Sequence, residues 1–258
     1  MEELDQADAM PPSYPPEHRA EPSRSEKGEV GAKKRLGSTV LEFATIIAVA
    51  LLISVIIKTF FAQAFAIPSE SMENTLIPGD RILVNKLADS EEDLHRGDVV
   101  VFVDPGNWLS DSAKPHYSGV QKVLISVGEL VGVVPQNVGD HLVKRIIGLP
   151  GDHVECCHDG LITVNGEPIT ETYIKPGSSP SDTEFDVVVP DGHVWLMGDN
   201  RDRSKDSRYH QQATGFGFVP ISNIEGRAWL TMYPLDRMGK IPSAREVFAG
   251  VDSCLLYT

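Results

Sequence analysis

Two serines one residue apart, Ser69 and Ser71, stand in the stretch Ala66-Ile67-Pro68-Ser69-Glu70-Ser71-Met72, which follows an apolar segment. Pro68 locks its own φ and pushes Ile67 into extended geometry, so the hydroxyl that follows is held in a fixed, partly exposed place. A nucleophile is presented in this way. A serine hydroxyl is a poor nucleophile without a base beside it. No histidine offers one by motif, since His95, His116, His141, His153, His193 and His210 have neither a G-x-S-x-G partner nor a zinc-protease pattern nearby. His153, Cys156, Cys157, His158 and Asp159 cluster in sequence, but their spacing matches no common four-ligand metal site, so no metal is expected. They read as ordinary hairpin residues or as a redox-active pair. Two further polar clusters remain. One is Lys144-Arg145 with Gly148-Leu149-Pro150-Gly151-Asp152, and the other runs Gly198-Asp199-Asn200-Arg201-Asp202-Arg203-Ser204-Lys205-Asp206-Ser207-Arg208.

The elements that must position these residues follow from composition and pattern. Residues 1–37 are rich in Pro, Glu, Ser and Lys and hold almost no large aliphatics, which predicts a disordered tail. Residues 38–61 form an apolar helix preceded by Lys33-Lys34-Arg35. At about 1.5 Å per residue its 22 residues from Val40 to Phe61 span about 33 Å, enough to cross a bilayer with Glu42 and Lys58 reaching the interfaces. The basic cluster places the N-terminus in the cytoplasm and the rest outside. Ala62-Gln63-Ala64 and Ala64-Phe65-Ala66 fit a signal-peptide cleavage pattern, but the long preceding tail favours a retained signal anchor. From residue 62 to 258, short β-branched runs alternate with Gly, Pro and Asp, the texture of a β-rich domain. Residues 104–141 depart from it and read as a variable insertion with an amphipathic piece, too interrupted by Lys122, Glu129 and glycines to be a second span.

With these elements in place, the three polar clusters resemble the motifs of bacterial type I signal peptidases, the membrane-anchored Ser-Lys proteases of the S26 family that remove signal peptides from exported proteins. The likeness runs from the anchor to about Ala228. It implies a mainly β catalytic domain with the fold shared by signal peptidases and LexA-like regulators, behind one N-terminal transmembrane helix. By the same resemblance Ser71 is the nucleophile and Lys144 the general base. Ser69 would join the backbone N–H of Ser71 in the oxyanion hole, Ser204 would orient the lysine, and Asp206 with Arg208 would form a structural ion pair. Asn74 departs from the pattern, since many relatives have proline there; a changed turn with an intact mechanism is expected. The chemistry is consistent with these roles. A lysine amine, normally protonated at neutral pH, becomes a base only where burial disfavours its charge, and Val143, Ile146 and Ile147 are suitable neighbours. Strand alternation puts Lys144 inward and Arg145 toward solvent.

The resemblance also implies an extended substrate that pairs with the strand leading to Ser71. Small side chains before the cut would enter shallow pockets lined by Phe65, Ile67, Pro68, Leu76 and Val143, which restricts them to alanine-sized residues. The expected activity is therefore signal-peptide cleavage at A-x-A sites at the outer face of the plasma membrane, beside the secretion translocon and without a cofactor. The formal charge of −14 repels phosphate backbones and argues against nucleic acid as a partner. Two alternatives share the residues: a self-cleaving Ser-Lys regulator, and a membrane-anchored peptide-binding protein that does not cleave. Acidity, the anchor and the lack of a helix-turn-helix segment oppose the first, and the presence of Ser71, Lys144 and Ser204 opposes the second.

Overall fold

The computed structural model describes residues 27–254 except 89, 107, 110–118, 120–140 and 213–214. The first 26 residues of the expected tail and nearly all of the expected 104–141 insertion lie outside the described residues.

Helix α1 runs Lys27–Phe60, so it begins at Lys27 rather than at residue 38. The last proline before it is Pro22, and extending a formed helix costs far less than nucleating one, so the helix continues back through Ala32, Lys33, Lys34 and Arg35. Within it, Thr39–Ile56 has a mean hydropathy of 2.5 and none of it is buried, which makes it long and apolar enough to cross a membrane.

The remaining chain is mainly β. Strands β1 (Ala62–Ala66), β2 (Arg81–Asn85), β3 (Val99–Val103), β4 (His141–Gly148), β9 (His193–Met197), β10 (Val219–Pro220), β11 (Ile224–Tyr233) and β12 (Gly239–Lys240) form one sheet. Its order is β1-β2-β11-β3-β4-β9-β10, with β12 on β11. A second sheet, in the order β7-β6-β5-β8, is built from β5 (His153–His158), β6 (Leu161–Val164), β7 (Glu167–Ile169) and β8 (Phe185–Val188). The pairings between these strands are antiparallel, as expected for short strands joined by tight turns. Asn165-Gly166, both at positive φ, make the two-residue hairpin turn between β6 and β7.

Period-two patterning explains which sides are covered. Ile82 and Val84 of β2 are fully buried, whereas Arg81, its first residue, is exposed. Strands β3 and β4 are instead covered on both sides, as their near-continuous Val and Ile content demands. Val99, Val101 and Val143 join Phe65, Ile67, Met72 and Leu76 in one apolar cluster. Val100, Phe102 and Ile146 join Leu196 and Val219 in another. A third holds the second sheet through Val154, Ile162, Phe185 and Trp195. This two-sided covering corrects the expectation for Arg145, which is fully buried rather than solvent-facing.

The adjacent Cys156 and Cys157 are bonded to each other at a bulge of β5, so the bond links sequence neighbours and cross-links no two elements. Among the described residues no group of three metal-ligating side chains assembles.

Candidate active site

Ser71 lies in a single 3-10 turn, Glu70–Met72, and its loop is tied at both ends. Ile67 N–H donates to Asp80 O at 2.8 Å and Gly79 N–H to Ile67 O at 2.9 Å, while Met72 O accepts from Leu76 N–H at 2.7 Å. The buried side chains of Met72 and Leu76 pin the turn to the core. From the other side Asn200 grips it, its N–H donating to Ser71 O at 3.1 Å and its Nδ2 to Glu70 O at 3.0 Å. The Ser71 backbone is therefore held by the end of β9 and the loop after it.

Lys144 reaches the same point from β4. Its Nζ lies 2.7 Å from Ser71 Oγ and donates to Val143 O at 3.0 Å. Lys144 is 2% exposed and Ser71 7%. Burial lowers the Lys144 amine from its ordinary 10.5 to about 8; the negative charges of Asp206 and Asp199 oppose this and the positive charge of Arg208 adds to it. A buried amine with a weakened hold on its proton, in contact with a hydroxyl, is the arrangement a Ser-Lys base requires. Ser69 Oγ lies 3.3 Å from Ser71 Oγ.

The third cluster folds behind the pair. Arg208 donates to both Asp206 oxygens at 2.9 and 3.0 Å, and Gly198 N–H donates to Asp206 Oδ2 at 3.0 Å. Burial alone would raise the Asp206 carboxyl; Arg208, the Gly198 N–H and the nearby Ser204 hydroxyl outweigh it and hold the carboxyl below its usual range. Ser204 is buried beside this ion pair, and its hydroxyl makes no full hydrogen bond. Its expected contact with Lys144 is not formed, because the partners of Lys144 are Ser71 Oγ and Val143 O. Gly198 explains the tight assembly: a Cβ there would lie 2.3 Å from Ser204 Oγ and 2.4 Å from Ser71 O.

Phe65, Ile67, Leu76 and Val143 share one buried cluster with Met72, the residue after Ser71, and form packed core. Phe65 and Leu76 are 1% and 0% exposed, so they form a floor rather than open pocket walls, because their side chains fill one another's space. Pro68 is exposed at the rim.

Several residues of the site carried no earlier assignment. Asp199 accepts from Arg145 Nε and Nη2 at 2.9 and 2.7 Å, and Thr75 Oγ1 donates to it at 2.5 Å. Arg145 also donates to Gly97 O at 2.6 Å, and its guanidinium stacks 4.3 Å from the Tyr173 ring. The Tyr173 hydroxyl donates to Glu171, which pairs with buried Arg201. Burial and the Glu171 charge push that hydroxyl well above its usual range, so it stays protonated and donating. Asn74 adopts φ 96°, closed to proline, and its Nδ2 donates to Tyr173 O at 2.9 Å and Ile174 O at 3.2 Å. Asp199 and Arg201 lay within a cluster already singled out. The segment 171–175 gave no signal, because its residues matter through partners distant in the sequence, Asn74 and Arg145 before it and Arg201 after it.

The family model described as "Signal peptidase, peptidase S26" matches residues 40–233. The chain belongs to this family. As a member it is a serine peptidase, a hydrolase of peptide bonds. It is 38% identical to "Signal peptidase I" of Mycobacterium tuberculosis over 227 residues, covering 80% of this chain and 76% of that protein. It is 36% identical to "Probable signal peptidase I" of Mycobacterium leprae over 242 residues, covering 83% and 82%. "Signal peptidase I P" of Bacillus subtilis subsp. natto shares 30% identity over 214 residues, covering 80% of this chain and 96% of its own. The matched region takes in most of α1, Ser71, Lys144 and the Gly198–Arg208 loop. Family membership and the apolar helix together describe a membrane-anchored peptidase.

Proposed function

We propose that this peptidase cleaves N-terminal signal peptides from exported pre-proteins, with Ser71 as nucleophile and Lys144 as general base. The observation that carries the reading is the 2.7 Å contact between Lys144 Nζ and Ser71 Oγ inside a buried pocket. In this mechanism the neutral amine takes the Ser71 proton as Oγ attacks the scissile carbonyl carbon. The oxyanion is met by the Ser71 N–H and the Ser69 hydroxyl, donors of a kind worth about 3 kcal/mol each. The lysine ammonium then gives its proton to the departing amine, and a water repeats the sequence on the acyl-enzyme. Ser204, with its buried and unsatisfied hydroxyl, supplies a third partner for the lysine when it becomes charged. Asp206 and Arg208 hold that loop in place.

Substrate enters between two strand edges. Among the described residues β1 pairs only with β2, and β4 pairs with β9 only from Arg145 onward, which leaves the β1 edge and residues 141–144 unpaired on one side. Phe65 of the first and His141 of the second bring their rings to 5.3 Å. An extended peptide that hydrogen-bonds along these edges runs toward Ser71, and the filled floor of Phe65, Ile67 and Leu76, rimmed by Pro68 and Val143, accepts only small side chains, which fits A-x-A. We place the N-terminus in the cytoplasm and the catalytic domain at the outer face, where chains leave the translocon, in line with Lys33, Lys34 and Arg35 before the span.

The test uses the full chain in detergent with a pre-protein whose signal ends in A-x-A. Cleavage after the second alanine is expected from the unmodified chain. Ser71→Ala and Lys144→Ala are expected to lose it by at least about a thousandfold, as removing members of a nucleophile-base pair does. Equal cleavage by all three proteins would remove the dyad.

A further inference from the structure

Opposite the catalytic apparatus in chemistry is a cationic cavity of about 320 Å³ on an acidic protein. It is lined by Arg227 and Trp229 of β11, Lys240 of β12, and Ser243 and Arg245 beyond, with Asp98 at its base. Asp98 is fully buried and is satisfied by Arg245, whose Nε and Nη2 donate to its two oxygens at 2.9 Å. Arg227 shares it more loosely, at 3.5 Å. One carboxylate therefore faces two guanidiniums, and Lys240 makes no ion pair among the described residues. The pocket keeps an excess of two positive charges although the chain carries −14 overall. The hairpin that forms its wall also carries exposed apolar side chains: Trp229, Tyr233, Leu235 and Met238 are 39, 52, 75 and 55% exposed. A soluble anion has no use for such a margin, whereas a lipid has a use for both parts.

We propose that this cavity binds the phosphodiester headgroup of an anionic phospholipid, with Arg227, Lys240 and Arg245 on the phosphate and Trp229 at the glycerol level. Guanidiniums match phosphate oxygens in a planar fork, and a partly exposed indole suits the polar-apolar boundary of a bilayer. The volume lies at the lower end of small-ligand sites and suits one headgroup. The proposal rests on the membrane-anchored reading above and adds a lipid preference to it.

The full chain is reconstituted in phosphatidylcholine vesicles that hold a small fraction of either phosphatidylglycerol or phosphatidylcholine, spin-labelled near the acyl carbonyl. Of the three tryptophans, Trp195 and Trp108 are 0 and 7% exposed, so quenching of intrinsic fluorescence reports Trp229. Labelled phosphatidylglycerol is expected to quench at about fivefold lower mole fraction than labelled phosphatidylcholine for each unpaired charge that engages it. Lys240→Glu is expected to erase the difference, and Trp229→Phe to erase the signal. Equal quenching by both lipids, or a preference that survives Lys240→Glu combined with Arg227→Gln, overturns the proposal; so does loss of the preference on adding millimolar inorganic phosphate, which would assign the cavity to free anions. Pre-protein cleavage in wholly zwitterionic vesicles is measured in parallel. It is expected to be the same for Lys240→Glu and the unmodified chain, and its absence from both would count against the peptidase reading and leave the lipid result intact.

Discussion

On the proposed mechanism a single amine sets the pH behaviour of this site. Under that mechanism Lys144 must be neutral to accept the Ser71 proton, and burial brings it to about 8. The kcat/KM for a pre-protein peptide is therefore expected to climb with pH through an acid limb near 8. A limb near that of a free lysine, measured on the full chain in detergent, would mean that the amine is not desolvated. The same shift acts on stability with a definite sign. An unfolded chain holds the lysine proton up to about 10.5 while the folded chain releases it near 8, so the burial penalty is complete below pH 8 and fades as pH rises between these values. Lys144→Met removes the charge but keeps the length. It is expected to abolish turnover and to stabilise the fold at pH 7 by on the order of 2 kcal/mol, with the gain gone near pH 10, as thermal unfolding at the two pH values would show.

At the scale of elements, the site exists because β4, the Glu70–Met72 turn and the end of β9 meet without a gap. Gly198 is the closest approach, since any side chain there overlaps Ser71 O and Ser204 Oγ. The first of these is a backbone atom that cannot swing aside. Gly198→Ala is expected to shift Ser71 and, on the proposed mechanism, to lower kcat about a hundredfold, the scale of loss that a misplacement of roughly 1 Å brings. Far-ultraviolet circular dichroism is expected to stay native, which separates displacement from unfolding. Behind this contact, the chain Thr75-Asp199-Arg145-Tyr173-Glu171-Arg201 ties the Ser71 loop, β4 and the segment after β7 into one buried polar network. Such a network rigidifies when every member is satisfied, and this one is closed through Gly97 O, Pro180 O and Gly198 O.

For the whole molecule, an apolar helix with no buried residue across Thr39–Ile56 joins a β domain whose clusters are closed on themselves. A helix of this kind is expected to keep the protein in the membrane pellet after alkaline carbonate extraction. N-terminal sequencing of that material is expected to begin upstream of Thr39; a start near Phe65 would show that the helix is removed as a cleaved signal.

The sequence alone determined the apolar span, the β-rich texture, the hairpin at Asn165-Gly166 and the candidate pair Ser71 and Lys144. These are local patterns of hydropathy, turn chemistry and motif spacing, and they are visible wherever the chain is read. Tertiary structure alone decided that Arg145 is buried beside Asp199, that Phe65 and Leu76 are floor rather than open wall, and that Tyr173 and Glu171 support the site. Alternation along a strand tells which side chains share a face, but whether that face meets water depends on elements distant in the sequence. For the basicity of Lys144, the strand neighbours Val143, Ile146 and Ile147 made desolvation an expectation, and burial in the assembled fold sets its extent.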